Sequence, residues 1–248
     1  MAKDLFSAQA NEYAKFRPVY PPALIEYIVS FCKEKEAAWD CATGNGQAAV
    51  LLAEHFKKVY ATDISKTQIK NATAKDNIEY SITPAENTLF DDNSFDLITV
   101  AQAYHWIKWD HFHHKVMRVT KPGAVIAVWM YNLPSTGDKA VDDLLLDFYK
   151  NIVGPYWDAE RKYVNDNYTT VAFDYEPLPT KTFEIKLDWS RDHFLGYLTT
   201  WSATKNFEKE QHYSPVDKIE TPLKALWKSG EVKHISFPIV LKLGRVIK

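Results

Sequence analysis

The sequence predicts an α/β protein built on a doubly wound, mostly parallel sheet. Three observations carry that expectation. Strand-like and helix-like stretches alternate through the first half with short connections, the order that lays helices on both faces of a parallel sheet. A glycine pair, Gly44 and Gly46, falls where a buried strand-like run turns into a helix. An acid, Asp63, closes the next strand-like run, 19 residues after Gly44.

Each element has its own local reason. Pro22 suits the first turn of a helix over 22–33, with Leu24, Ile25, Ile28 and Cys32 on one face. Residues 37–42 read as a first buried strand, 43–46 as a turn, 47–56 as a helix and 59–63 as a second strand. Ser65 and Gln68 match a capping box that opens a helix over 65–74. Short strands follow at 78–82 and 95–100, joined by a loop. Asp110 is placed to cap a helix to about 120, Lys121-Pro122-Gly123 reads as a turn, and 124–131 is a fifth strand. After Asn132 the rhythm changes: a helix over 138–153, a polar Tyr-rich stretch, a strand over 182–189, helices over 191–204 and 215–229, and a closing strand over 234–243.

Composition narrows the class. The 248 residues carry 30 Lys and Arg against 32 Asp and Glu, a formal charge of −2. That balance speaks against a protein held on nucleic acid or anionic lipid by bulk electrostatics. Cys32 and Cys41, the two cysteines, make neither a disulfide scaffold nor a cysteine-rich zinc module and read as reduced core thiols. The first residues lack the apolar stretch of a signal peptide, and no run approaches membrane-spanning length. A cytoplasmic monomer or weak homodimer is expected, acting on neither nucleic acid nor membrane.

The glycine turn points to a bound nucleoside, because helix N–H groups and a strand-end carboxylate converge there. Gly44-x-Gly46-x-x-Ala49 also fits the dinucleotide fingerprint, which keeps an NAD-dependent oxidoreductase open. Asp40 weighs against it, since a carboxylate just before the turn would repel a pyrophosphate yet tolerates an amino-acid ammonium group. The order after the fifth strand also lacks the sixth βα unit that completes paired nucleotide-binding halves.

The stretches AWDCATGNGQAA, ATDIS, AQAYHW and RVTKPGAVIAVW, in this order and at these separations, resemble the class I S-adenosylmethionine-dependent methyltransferases. Within them the likeness is to the small-molecule branch that includes the trans-aconitate methyltransferases. YAKFRPVYPP and LGYLTTWSATKNF extend it over most of the chain. The sequence departs from the family at Ala42, where a glycine is usual; alanine permits the turn but reaches a positive φ only at a cost. The resemblance implies a seven-stranded sheet in a single domain over 1–248. Its parts are a cap segment (1–33), a cofactor-binding core (34–131), an acceptor-side insertion with the sixth strand (132–233) and a closing strand (234–248). It implies S-adenosyl-L-methionine as cofactor, S-adenosyl-L-homocysteine as product, and a small-molecule acceptor.

By position, the resemblance places Asp40, Ala42, Gly44, Gly46 and Gln47 around the methionine part of that cofactor. Asp63 and Ile64 fall at the ribose, Ala85 and Glu86 at the adenine edge, and Ala101, Gln102 and Ala103 beneath the sulfonium. Tyr13 and Arg17 fold over the cofactor, and Tyr20 reaches toward the acceptor. Gln68, already explained by its cap, is expected near the cofactor and not on it.

Methyl transfer from a sulfonium is an in-line displacement, so geometry comes first and a base second. His105, directly after the fourth strand, is the candidate base or else a structural imidazole, with Tyr104 beside it as its catalytic companion. Trp106 is an acceptor wall or a core residue. Ala101-Gln102-Ala103-Tyr104 is not the Asn/Asp-Pro-Pro-Tyr/Phe motif of adenine and glutamine N-methyltransferases, which favours an oxygen acceptor, carboxylate or hydroxyl. His111, His113 and His114 read as a solvated helix face, and no metal is expected. Of the 35 aromatic residues, 15 fall within 144–213, which reads as a stiff apolar cap over the acceptor. Tyr197 and Trp201 lead as its walls, with core packing the alternative. A non-catalytic cofactor-binding protein also stays open.

Overall fold

The computed structural model describes residues 15–248. Strands β1 (Ala37–Cys41), β2 (Lys58–Asp63), β3 (Ile78–Ile82), β4 (Phe95–Ala101) and β5 (Thr120–Tyr131) run parallel in the order β3-β2-β1-β4-β5. The two-residue β6 (Glu176–Pro177) and the long β7 (Phe183–Ser190) both pair with β8 (Val232–Arg245), which lies antiparallel to β5. β6 and β7 share one edge of β8 along different stretches, so eight strands fill seven positions across the sheet.

The central strands are buried on both faces, and their alternate side chains feed two cores. Leu97, Val125, Ala127 and Trp129 enter one; Ile98, Val100, Ile126, Val128 and Met130 enter the other. Helices α1 (Pro22–Val29) and α2 (Gln47–Leu52) cover the first face through Leu24, Ile25, Ile28, Ala48 and Leu52. After the short α3 (Lys66–Lys70), α4 (Trp109–Val119) covers the second through Phe112, Val116 and Val119.

Several element ends differ from the sequence-based expectation. α1 stops at Val29, which leaves Cys32 in the following loop. α4 begins at Trp109 with Lys108 in the cap position, so Asp110 sits inside the first turn and does not cap it. Residues 121–123 are not a turn before β5 but a kink within it. There the pairing jumps from Phe95 with Thr120 to Leu97 with Val125, and Gly123 takes φ +79°.

The insertion comprises α5 (Lys139–Asp147), α6 (Arg161–Asn165), α7 (Arg191–Thr199), α8 (Ser202–Gln211) and α9 (Val216–Leu226). Asp138 caps α5 by accepting the Ala140 N–H at 3.0 Å, and a π-type turn over Phe148–Ile152 continues it. The helix expected over 191–204 breaks at Thr200 and Trp201 into α7 and α8. No helix among the described residues is long and apolar enough to cross a membrane.

Candidate active site

The carboxyl edge of β1, β2 and β4 opens on a cleft, the place where doubly wound sheets bind ligands. The loop after β1 is coiled by three left-handed residues, Ala42 (φ +56°), Gly44 (φ +57°) and Gly46 (φ +85°). Ala42 thus takes the strained conformation that its side chain disfavours. The Gly44 N–H donates to Asp63 Oδ2 and the Ser65 N–H to Asp63 Oδ1, each at 2.8 Å. Space in front of Gly44 is open, since a Cβ there would meet no heavy atom within 4 Å. Gly46 does not line the cleft. A Cβ there would run into the hydroxyl of Tyr80, so this glycine serves close packing at the head of α2.

Asp40 also stands behind the cleft and not on it. Its carboxylate is fully buried and accepts the Thr43 hydroxyl at 2.5 Å and the Thr99 hydroxyl at 2.6 Å. Burial pushes its pKa up to about 6, against the opposing effect of those hydrogen bonds. Asp40 therefore positions Thr43, and Thr43 lines the cleft. Sequence reasoning passed over Thr43 because nothing in a lone threonine distinguishes it from a turn residue.

Gln68 shows the opposite displacement. Its backbone N–H donates the cap bond to Ser65 Oγ at 3.1 Å, as the capping box predicts. Its side chain, 2% exposed, lines the cleft, and its Oε1 is buried without a hydrogen-bond partner. A buried orphan acceptor of this kind calls for a donor from a ligand. Beside it, Ile64, Ala85 and Glu86 form the far wall, with Glu86 Oε1 accepting the Lys108 N–H at 3.2 Å.

Ala101, Gln102 and Ala103 form the near wall at the end of β4, with Gln47 across from them. Gln102 is also left-handed (φ +57°), held by its N–H to the Trp129 carbonyl at 2.8 Å and its Nε2 to the Tyr131 carbonyl at 3.2 Å. A second cavity adjoins the first, and the two share Arg17, Gln102, Trp106 and Tyr131. Arg17 donates to the Tyr131 hydroxyl at 3.3 Å and to the Thr200 carbonyl at 3.0 Å, an acceptor freed by the break between α7 and α8. Its neighbour Phe16 rests on Gly196, where any Cβ would collide with the ring. Tyr20, expected toward the acceptor, packs edge-on against Trp129 and lines the first cavity but not the second. Tyr13 lies outside the described residues.

Comparison with known proteins decides the family. The methyltransferase-domain family matches residues 39–128. A Dictyostelium discoideum protein named as a methyltransferase is 32% identical over 249 residues, covering 98% of this chain and 95% of its own. The chain belongs to the class I S-adenosylmethionine-dependent methyltransferases. The structure of an Anaeromyxobacter dehalogenans protein described as a type II methyltransferase agrees, with a TM-score of 0.86 and 35% identity over 94% of this chain and 99% of that one. A Mycobacterium tuberculosis methyltransferase shares 30% identity over 127 residues, 50% of this chain and 51% of its own.

The second cavity of this methyltransferase is walled by Trp106, Tyr131, Trp157, Tyr197 and Trp201. Most of the aromatic-rich segment does something else: Phe148, Phe194 and Trp189 belong to one core, Tyr168 and Tyr175 to the other. The excess of rings mainly fills the insertion, and a few of them face the cavity. Tyr104 is a core residue too. It is 2% exposed, its hydroxyl donates to the Ala172 carbonyl at 2.7 Å, and it lines neither of the two joined cavities. His105 does reach the second cavity, and burial, with the Arg161 charge nearby, pushes its pKa down to about 3.

Arg161, like Thr43, is a cavity residue that sequence reasoning missed. Its Nε donates to the Tyr149 hydroxyl at 2.8 Å, and its guanidinium sits over the Trp157 ring, 4.4 Å from the centroid. Its Nη2 donates to the Asn132 amide oxygen at 3.4 Å, and the residue lines the second cavity. The available signal was local: Trp157 lies four residues ahead of Arg161, which opens a short helix.

Proposed function

We propose that this methyltransferase methylates an oxygen of a small, carboxylate-bearing acceptor held in the second cavity. The observation that carries the reading is the union of two cavities at Arg17, Gln102, Trp106 and Tyr131, one at the strand edge bordered by Asp63 and Glu86, the other walled by aromatic rings and Arg161. S-adenosylmethionine supplies an activated methyl group. The fit of its nucleoside rests on the Asp63 carboxylate, the open space before Gly44 and the orphan Gln68 Oε1. Asp63 receives the ribose hydroxyls, Glu86 and Ala85 border the adenine, and Gly44, Thr43 and Gln47 border the amino-acid tail.

The chain's own work is positional. Holding acceptor and methyl donor in line in a water-poor cavity is worth about 7–11 kcal/mol of barrier. Arg17 and Arg161 offer two guanidiniums to an anionic acceptor, and Trp106, Trp157 and Trp201 exclude water around it. The likeness of AQAYHW and TWSA to the small-molecule branch that includes the trans-aconitate methyltransferases supports the same acceptor class. A labelled-methyl screen tests it, with pools of di- and tricarboxylic acids, hydroxylated aromatics and amines. Base-labile methyl esters are expected, and label confined to amines would reject the reading.

A further inference from the structure

Tyr168 is fully buried, and both it and Asn167 take left-handed backbone conformations at φ +57°. A bulky residue held there is uncommon and persists where its surroundings over-determine it. The consequence is local. The phenol oxygen comes to rest beneath the short 3₁₀ turn Tyr104–Trp106, 2.7 Å from His105 Nδ1. Among the described residues His105 Nδ1 is the one hydrogen-bond partner of that oxygen, so the phenol proton has this nitrogen as its acceptor.

We infer that Tyr168 is a positioning residue that fixes His105 as its Nε2–H tautomer, so that the acceptor cavity meets a hydrogen-bond donor at His105 and not a base. The opposite tautomer would leave the Tyr168 proton without an acceptor in a dry core. Nε2 itself makes no hydrogen bond among the described residues, while the ring lines the cavity. The titratable and charged groups around it are Arg17, Tyr131, Asp158, Arg161, Tyr168 and Tyr197. Burial and Arg161 disfavour the imidazolium, so the ring stays neutral. A neutral N–H beside the Arg161 guanidinium suits a carboxylate oxygen, from which no proton has to be taken.

The inference depends on the proposed acceptor only for its activity readout. The direct test is nitrogen-15 NMR of the histidine-labelled wild-type protein, with His105 assigned among the eight histidines by its loss in His105→Gln. The expected spectrum shows Nε2 protonated and Nδ1 bare from about pH 5 to 8. Tyr168→Phe is expected to move the ring toward the other tautomer. A proton on Nδ1 in the wild type, or a Tyr168→Phe spectrum identical to wild type, overturns the inference whatever the acceptor. In the labelled-methyl assay on the carboxylic-acid pool, His105→Gln, which keeps a donor and removes any base, is expected to lose less than about tenfold in turnover, with His105→Leu losing more through KM. A loss of about 10²-fold or more in turnover for His105→Gln, with KM unchanged, marks a base and overturns it.

Discussion

Asp63 holds Gly44 across the carboxyl edge of the sheet: Oδ2 of the acid at the end of β2 accepts the N–H of the glycine in the loop after β1 at 2.8 Å. Its other oxygen is engaged equally closely by Ser65 at the head of α3. One carboxylate therefore ties two loops together while presenting itself to the cleft.

Removing that carboxylate is expected to strike binding before turnover. A lost charge-assisted hydrogen bond is worth about 1.5–3 kcal/mol. Asp63→Ala should therefore weaken S-adenosylhomocysteine binding by at least about tenfold in calorimetry. Unchanged affinity would place the nucleoside elsewhere.

Gly46 and Tyr80 should show coupling. Gly46→Ala forces a Cβ into the Tyr80 hydroxyl at a backbone of φ +85°, so a loss of roughly 1–3 kcal/mol is expected. Made in a Tyr80→Phe background, the same change should cost less. Denaturant melts of the four proteins measure the difference, and strict additivity would contradict the contact.

Ala42 carries strain that glycine would remove. At φ +56° a left-handed alanine costs about 1–2 kcal/mol, while glycine gives back part of that through a freer unfolded chain. Ala42→Gly is expected to leave the melting temperature unchanged or raised. Ala49→Gly, in the interior of α2, should lower stability by about 1 kcal/mol or more.

The buried Asp40 predicts a pH dependence with a definite sign. Its carboxyl titrates near 3.8 in the open chain and about 6 in the fold, so between those values the native state holds the extra proton. Stability contributed by this group is present below the lower value and lost as the pH rises through the upper one. The size is roughly 3 kcal/mol. Asp40→Asn keeps a carbonyl acceptor for one threonine hydroxyl and turns an N–H donor toward the other. It should lack this fall between about pH 4 and 6, read as the difference between the two melting curves. Parallel curves would contradict the burial.

Arg161 should separate the two cavities functionally. Arg161→Ala removes a guanidinium from the acceptor side and none from the cofactor side. Acceptor KM is expected to rise about tenfold or more, with S-adenosylhomocysteine affinity nearly unchanged. A matched loss in both would show that the cavities do not work as separate sites.

Much of this arrangement is legible in the sequence, for local reasons. The strand over 78–82 coincides with β3, an edge strand with no buried residue. The other long strands fall within a few residues because buried strands write themselves as short apolar runs, whereas the two-residue β6 leaves no such mark. Gly44 and Asp63 are legible because only certain residue types serve at a strand–turn–helix junction. The errors come from long-range closure. Tyr104 and His105 are adjacent, yet one points into the core toward Ala172 and the other lines the second cavity, a split decided by a turn that sequence spacing does not show. Asp40 reads as a cofactor contact because it precedes the loop, although strand alternation turns its side chain beneath Thr43. Arg161 carries no motif, and only the folding of the insertion over β4 brings it to the site.

The most direct measurement is a crystal structure with S-adenosylhomocysteine bound. The expected result has the ribose hydroxyls on Asp63 and the sulfur at the opening shared by Arg17, Gln102, Trp106 and Tyr131, facing the second cavity. A nucleoside bound away from Asp63, or a sulfur turned from that opening, would contradict the division of the site into joined cofactor and acceptor cavities.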